Sequence, residues 1–72
     1  MNPPILDIFR GHFGSKDAMW IEAIEGLGNA VDRMHIFAAE KPDSYFVFDA
    51  RTHKVIATTD TTRKLESKRG AA

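Results

Sequence analysis

Three histidines are the residues of this chain best suited to metal or proton chemistry. His12, His35 and His53 lie far apart in the sequence and on different predicted elements. Zinc ligands favour short spacings, such as two positions on one helical face, and cysteines often complete the set. The histidines have no such spacing and the chain contains no cysteine. We therefore expect neither a metal site nor a bound cofactor.

The other reactive groups also lack the neighbours that catalysis needs. No nucleophile-elbow motif surrounds any serine, and the carboxylates adjoin strand ends and turns, where backbone hydrogen bonds explain them. Residues 26–31, GLGNAV, contain G-x-G before a helix but lack the third glycine of a dinucleotide fingerprint. One anion at that helix N-terminus is an alternative to tight strand–helix packing. We predict that the protein is not an enzyme.

Length and composition describe one small globular domain. The chain has 72 residues, of which 43% are hydrophobic and 28% charged, values ordinary for a folded protein. The lack of cysteine fits a reducing cytoplasm. No apolar run approaches the roughly 18 residues of a membrane span. We expect a soluble, unprocessed cytoplasmic protein with no membrane contact.

The helix is the most clearly predicted element. Apolar residues recur at helical spacing through residues 27–40, at Leu27, Ala30, Val31, Met34, Phe37 and Ala38. Gly26 suits the N-cap and Pro42 ends the helix.

Three strands and a turn are predicted around this helix. Residues 18–24 suit a first strand, and residues 45–49 and 54–59 suit a hairpin. In the turn, His53 occupies a position that favours positive φ, where glycine is cheapest and histidine is tolerated. Residues 5–13 are too apolar for a free tail, and Pro4 suits the start of one or two helical turns.

The predicted fold class is therefore α+β. We expect a single β-α-β-β domain whose three-stranded sheet carries one long helix on one face, with residues 54–59 as the central strand. Residues 1–17 form an N-terminal packing segment with a short helix, residues 18–60 form the core, and residues 61–72 form a flexible basic tail.

The segment YFVF, residues 45–48, raises the main functional question. It is apolar on both faces, although one helix covers only one face of the sheet. The N-terminal segment, an identical subunit or another protein could cover the second face. We predict a protein–protein interaction or regulatory module that self-associates as a dimer through the open sheet face or an edge strand. The predicted contact residues are Trp20, Ile36, Tyr45, Val47 and Ile56.

Charge patterning provides the alternative function. Residues 1–62 hold six Lys and Arg against nine Asp and Glu, a net charge of −3, whereas residues 63–72 carry +3. An acidic body disfavours nucleic acid, but a basic tail can add salt-sensitive attraction. The alternative is therefore a nucleic-acid-associated regulator. Its contacts are Arg51 and Lys54 in the hairpin and Arg63, Lys64, Lys68 and Arg69 in the tail.

Two runs of the sequence also carry a resemblance. WIEAIEGLGNAVDRM, from Trp20, and KPDSYFVFDARTHKVIA, from Lys41, resemble short uncharacterised bacterial proteins with a W-x-E-A, helix, P-x-x-Y-F-V-F, hairpin layout. These motifs are packing motifs. The resemblance implies a small α/β fold and brings no activity, ligand or catalytic residue to this chain.

Overall fold

A computed structural model of the chain describes residues 3–61. Its elements are β1 (Ile5–Arg10), β2 (Met19–Glu25), α1 (Leu27–Glu40), β3 (Ser44–Asp49) and β4 (Lys54–Asp60). The α+β class, the helix and the hairpin are confirmed. The predicted three-stranded sheet is wrong in its count, because the strands form a four-stranded antiparallel sheet. No helix in residues 3–61 is long and apolar enough to cross a membrane.

The additional strand is β1, which lies in the segment predicted to contain a short helix. Its side chains alternate: Leu6 and Ile8 are buried on the helix side, whereas Asp7 and Phe9 lie on the other side. A central strand is covered on both faces and therefore lacks a simple apolar–polar alternation. Because this alternation is missing, the sequence of residues 5–9 fits a helical turn as well as a strand.

Strand order also differs from the prediction. The order is β2-β1-β3-β4, so β1 separates the strands before and after the helix. The predicted central position of residues 54–59 is wrong, because β4 is an edge strand. Both arrangements make every neighbouring pair antiparallel, and local sequence does not distinguish them.

The main core lies between the sheet and α1. Ala30, Met34 and Ala38 pack against the sheet, and the strands contribute Leu6, Ile8, Tyr45 and Val47. Tyr45 and Val47 are 2% and 0% exposed, so their predicted position on the open face is wrong. The Tyr45 hydroxyl donates a hydrogen bond of 2.6 Å to the Lys41 carbonyl oxygen, which satisfies its polar end inside the core. Burial raises the pKa of the Tyr45 phenol.

The β2–α1 junction depends on Gly26. This residue is the N-cap, as predicted, with φ of 92°, a value that glycine adopts without the steric cost of a Cβ atom. Its N–H donates a hydrogen bond of 2.8 Å to the Pro4 carbonyl oxygen. The β1–β2 pairing therefore continues as far as Gly26, which directly precedes the helix.

Candidate protein-interaction surface

The five predicted contact residues do not form one surface. Trp20 lies on β2, and Ile36 lines a groove beside β2, so these two approach one edge of the sheet from opposite faces. Ile56 lies on β4, at the other edge. Tyr45 and Val47 are buried under α1 and cannot reach a partner in the folded protein.

The open face of the sheet carries an aromatic cluster, which we define as Phe9, Phe13, Phe46 and Phe48. The rings of Phe9 and Phe46 stack with centroids 4.9 Å apart and an interplanar angle of 4°. Phe9 also meets Phe48 edge-on at 6.4 Å. These rings occupy neighbouring positions on the two central strands, because Phe9 pairs with Phe46 in the β1–β3 register.

Phe13, from the β1–β2 connection, covers part of this cluster. Its ring stacks on Phe48 at 5.5 Å and contacts Phe46 edge-on at 5.7 Å. Phe46 is consequently only 3% exposed, whereas Phe13 itself is 61% exposed. The open face is thus largely closed by residues of the chain itself. The sequence prediction does not include Phe9 or Phe13; once residues 5–10 are a strand, Phe9 follows as a residue on the face opposite Leu6 and Ile8.

Trp20 extends the open face towards β2. It lies opposite Phe9 in the β1–β2 register, and its indole Nε1–H donates to Asp7 Oδ1 at 3.2 Å. The side chain is still 54% exposed. A large amphipathic ring with one polar anchor and an exposed face is typical of protein interfaces.

The outer edge of β2 carries outward-facing backbone groups, of which the Glu25 carbonyl oxygen accepts one hydrogen bond of 3.1 Å from Asn29 Nδ2 and keeps its second lone pair for another donor. Hydrogen-bonded and non-hydrogen-bonded pairs alternate in an antiparallel ladder. Because Gly26 bonds to Pro4, the Leu6–Ile24 and Ile8–Glu22 pairs of the same register are hydrogen-bonded pairs. The N–H and C=O groups of Ala23 and Glu25 therefore point away from β1, towards the free edge.

A groove of about 450 Å³ runs between this edge and α1. Ile24 and Ile36 supply apolar walls, and the polar lining consists of Glu25, Asn29, Asp32 and Arg33. Ile36 is 48% exposed on the helix. Arg33 Nε lies 3.9 Å from Glu22 Oε1 at the groove's rim, so the charges beside the apolar walls are partly paired.

The two edges of the sheet differ in chemistry. β4 begins with the exposed Lys54, and its far end is fixed by a hydrogen bond of 3.3 Å from the Thr61 N–H to the Asp43 carbonyl oxygen. β2 contains neither lysine nor proline, the residues that commonly protect edges. It exposes Met19 and Trp20, and Ala23 leaves its outer backbone accessible.

A polar cluster joins β1, β3 and the end of β4. Asp43 accepts hydrogen bonds from Arg10 Nε and from the Ser44 backbone N–H, both at 2.7 Å. The Ser44 N–H and the Arg10 guanidinium hold the pKa of the Asp43 carboxyl below its usual range. His12 Nε2 lies 3.1 Å from Ser44 Oγ, and Ser44 is 5% exposed. These contacts fix strand ends.

The three histidines lie on different parts of the fold, with His35 on α1. His12 contacts Ser44, and His53 lies beside Phe48 with ring centroids 6.3 Å apart. No group of three metal-ligating side chains occurs within residues 3–61.

The proposed nucleic-acid contacts lie at the hairpin turn and in the tail. The Arg51 side chain is 76% exposed, with Nη2 located 3.9 Å from Asp49 Oδ2. Lys54 lies opposite Asp49 in the β3–β4 strand register. Arg63, Lys64, Lys68 and Arg69 lie outside the described residues.

Comparison with known proteins identifies no relative: no protein-family model, no curated protein and no solved structure matches the chain. The resemblance to short bacterial proteins rests on the two quoted sequence runs alone.

Proposed function

We propose that the protein is a protein–protein interaction module that self-associates by pairing the free edge of β2. The single observation that carries this proposal is the outward-facing backbone of Ala23 and Glu25, on an edge strand without lysine or proline. Strand addition at an exposed edge is a common mode of protein recognition, because backbone hydrogen bonds supply affinity and side-chain pockets supply specificity.

The surroundings of β2 favour such pairing. A strand added at this edge would lie beside the groove and cover Ile24 and Ile36, both of which line it. Burying apolar area contributes about 25 cal/mol per Å², whereas each backbone hydrogen bond contributes only about 0.5–1.5 kcal/mol net. Burial of Ile24 and Ile36 therefore adds to the backbone hydrogen bonds, which set the geometry of the pairing.

Substitution Ala23→Pro tests the proposal directly. Proline removes one N–H and is tolerated on edge strands where that N–H faces solvent. The β1–β2 ladder does not use the Ala23 N–H, so the variant should fold and lose only the outer pairing. We expect sedimentation velocity at micromolar concentration to show a dimer for the natural sequence and a monomer for Ala23→Pro.

The matched control is Thr58→Pro on the opposite edge. The Thr61–Asp43 hydrogen bond makes Tyr45–Thr59 a hydrogen-bonded pair in the same register, so the Thr58 N–H also faces outwards. Thr58→Pro should remain dimeric. A natural protein that is monomeric throughout the concentration range, or a dimer lost only in Thr58→Pro, contradicts the assignment to β2.

Nucleic-acid association is the second candidate function. The observation in its favour is a pair of exposed aromatic side chains on the open face, Phe13 at 61% and Trp20 at 54% exposed. Rings on a sheet surface can stack on unpaired bases. The hairpin contributes the cations Arg51 and Lys54, and residues 63–72 add +3.

Salt-dependent binding to a single-stranded oligonucleotide tests this second function. If it operates, deletion of residues 63–72 weakens binding and reduces its dependence on salt, since fewer phosphate contacts release fewer counterions. Binding that is absent at low salt, or that is unchanged by the deletion, removes the tail from this role.

A further inference from the structure

We infer that the β2 edge binds a second copy of the chain through a two-fold axis at Ile24; this inference rests on the proposed function and specifies its register. In this arrangement the partner's Ile24 faces Ile24, and Ala23 faces the partner's Glu25. Self-pairing of one strand about a two-fold axis is the simplest closed assembly, because each subunit uses the same surface.

A β-bulge limits which part of β2 can pair regularly. The β1–β2 register shifts between Ile8 and Phe9, whose partners are Glu22 and Trp20, so Ile21 is the additional residue. A bulge bends its strand and interrupts the ladder. The regular free edge therefore runs from Glu22 to Gly26, where α1 begins, and Ile24 is its centre.

The direction of the backbone N–H and C=O groups excludes half of the possible registers between the two β2 strands. Only residues whose N–H and C=O face outwards can form hydrogen-bonded pairs across the new interface. Ala23 and Glu25 face outwards, whereas Ile24 faces β1 with its backbone. Pairs such as Ala23 with the partner's Ile24 are therefore excluded, and the axis must pass through a residue rather than between two residues.

Side-chain chemistry selects among the registers that remain. An axis at Glu22 or at Glu25 places two identical carboxylates opposite each other, which destabilises a strand pair. An axis at Ala23 places Glu22 opposite the partner's Ile24. An axis at Ile24 instead joins two isoleucines on the helix side, directly beside the groove that Ile36 lines. This register is the one that buries apolar groups together.

Disulfide trapping tests the axis, since the chain contains no cysteine. Opposed residues in a non-hydrogen-bonded antiparallel pair have Cβ atoms about 4.5–5.5 Å apart, close to the separation that a disulfide requires. Under mild oxidation, Ile24→Cys should become a covalent dimer in high yield. Ala23→Cys and Glu25→Cys should cross-link poorly alone, and an equimolar mixture of the two should cross-link several-fold better.

The mixture also protects the test against misfolding of Ile24→Cys, because both Ala23 and Glu25 are exposed. Efficient cross-linking of Ala23→Cys alone would place the axis at Ala23, overturning this register while leaving the β2-edge proposal intact. Cross-linking at none of these positions, in a protein whose dimer Ala23→Pro abolishes, also overturns the register. A natural protein that is always monomeric overturns both.

Discussion

His53 shows how much one residue can reveal about a turn. Its φ is 58°, the only positive value for a non-glycine residue within residues 3–61. Asp49 Oδ1 accepts a hydrogen bond of 2.9 Å from the Arg51 N–H in the same turn. The backbone, together with packing beside Phe48, accounts for the imidazole. The sequence prediction for this position is confirmed.

Replacing His53 with glycine should leave the protein equally stable or stabilise it by up to about 1 kcal/mol, because glycine adopts positive φ without steric cost. The measurement is urea denaturation followed by Trp20 fluorescence. Thr52→Gly is the control, expected to destabilise by about 0.5 kcal/mol, since Thr52 has no positive φ to relieve. A marked loss of self-association in His53→Gly would return the imidazole to a functional role.

Asp43 should contribute stability that depends on pH. Its folded pKa is lowered by the Ser44 N–H and by Arg10. The contribution is therefore present above the unfolded pKa, near 3.9, and is lost as pH falls through the folded pKa. Asp43→Asn should destabilise the protein at pH 7, and its difference from the natural sequence should shrink at pH 3.

Urea denaturation at both pH values measures this difference. Asp17→Asn in the exposed β1–β2 connection is the control and should cause little change at either pH. An equal loss at pH 7 and pH 3 for Asp43→Asn would mean that the carboxylate charge is not what stabilises the strand ends.

At the scale of the element, β3 demonstrates a strand with two apolar faces. Tyr45 and Val47 belong to the helix-side core, and Phe46 and Phe48 belong to the aromatic cluster. The apolar pattern predicted that both faces are covered. It could not assign each face, because shifting the orientation by one residue exchanges two equally apolar sets.

The aromatic cluster provides a test of how far the open face is closed. Phe46→Leu should destabilise the protein by about 1–2 kcal/mol, since Phe46 is 3% exposed and loses ring contacts with Phe9 and Phe13. Phe13→Leu should cost less than about 0.5 kcal/mol, because its ring is 61% exposed. Equal costs measured by urea denaturation would show that Phe13 seals the face more completely than its exposure indicates.

At the scale of the whole molecule, self-association should appear in the stability itself. The core of so small a domain contributes only about 3–5 kcal/mol to the free energy of unfolding. Formation of a dimer would therefore raise the stability by a substantial fraction. The unfolding midpoint of the natural protein should rise as protein concentration increases, because association binds only the folded state. Thermal unfolding between roughly 1 and 100 μM covers the range in which the effect is expected.

The Ala23→Pro variant serves as the reference for that series. Its midpoint should be independent of concentration, since it has lost the outward N–H while keeping the inner ladder. A concentration dependence that persists in this variant would place the association elsewhere, with the exposed Trp20 and the aromatic cluster as the next surface to test.

The sequence by itself determined the local features of this protein. The helix of residues 27–40, its Gly26 N-cap and the hairpin with His53 each follow from spacing and conformational preference within a short window. The presence of two covered sheet faces also follows from YFVF. These features depend on residues that are close together in the sequence, and so the local sequence is sufficient to predict them.

Only the tertiary structure decided where each strand lies and what remains exposed. Insertion of β1 between β2 and β3 gives β2 a new inner neighbour and brings Phe9 onto Phe46, and packing of α1 on the sheet buries Tyr45 and Val47. Each of these outcomes depends on pairing between residues distant in sequence, and several pairings satisfy the same local pattern. The free edge of β2, on which the proposed function rests, is therefore a property of the sheet and not of the β2 sequence.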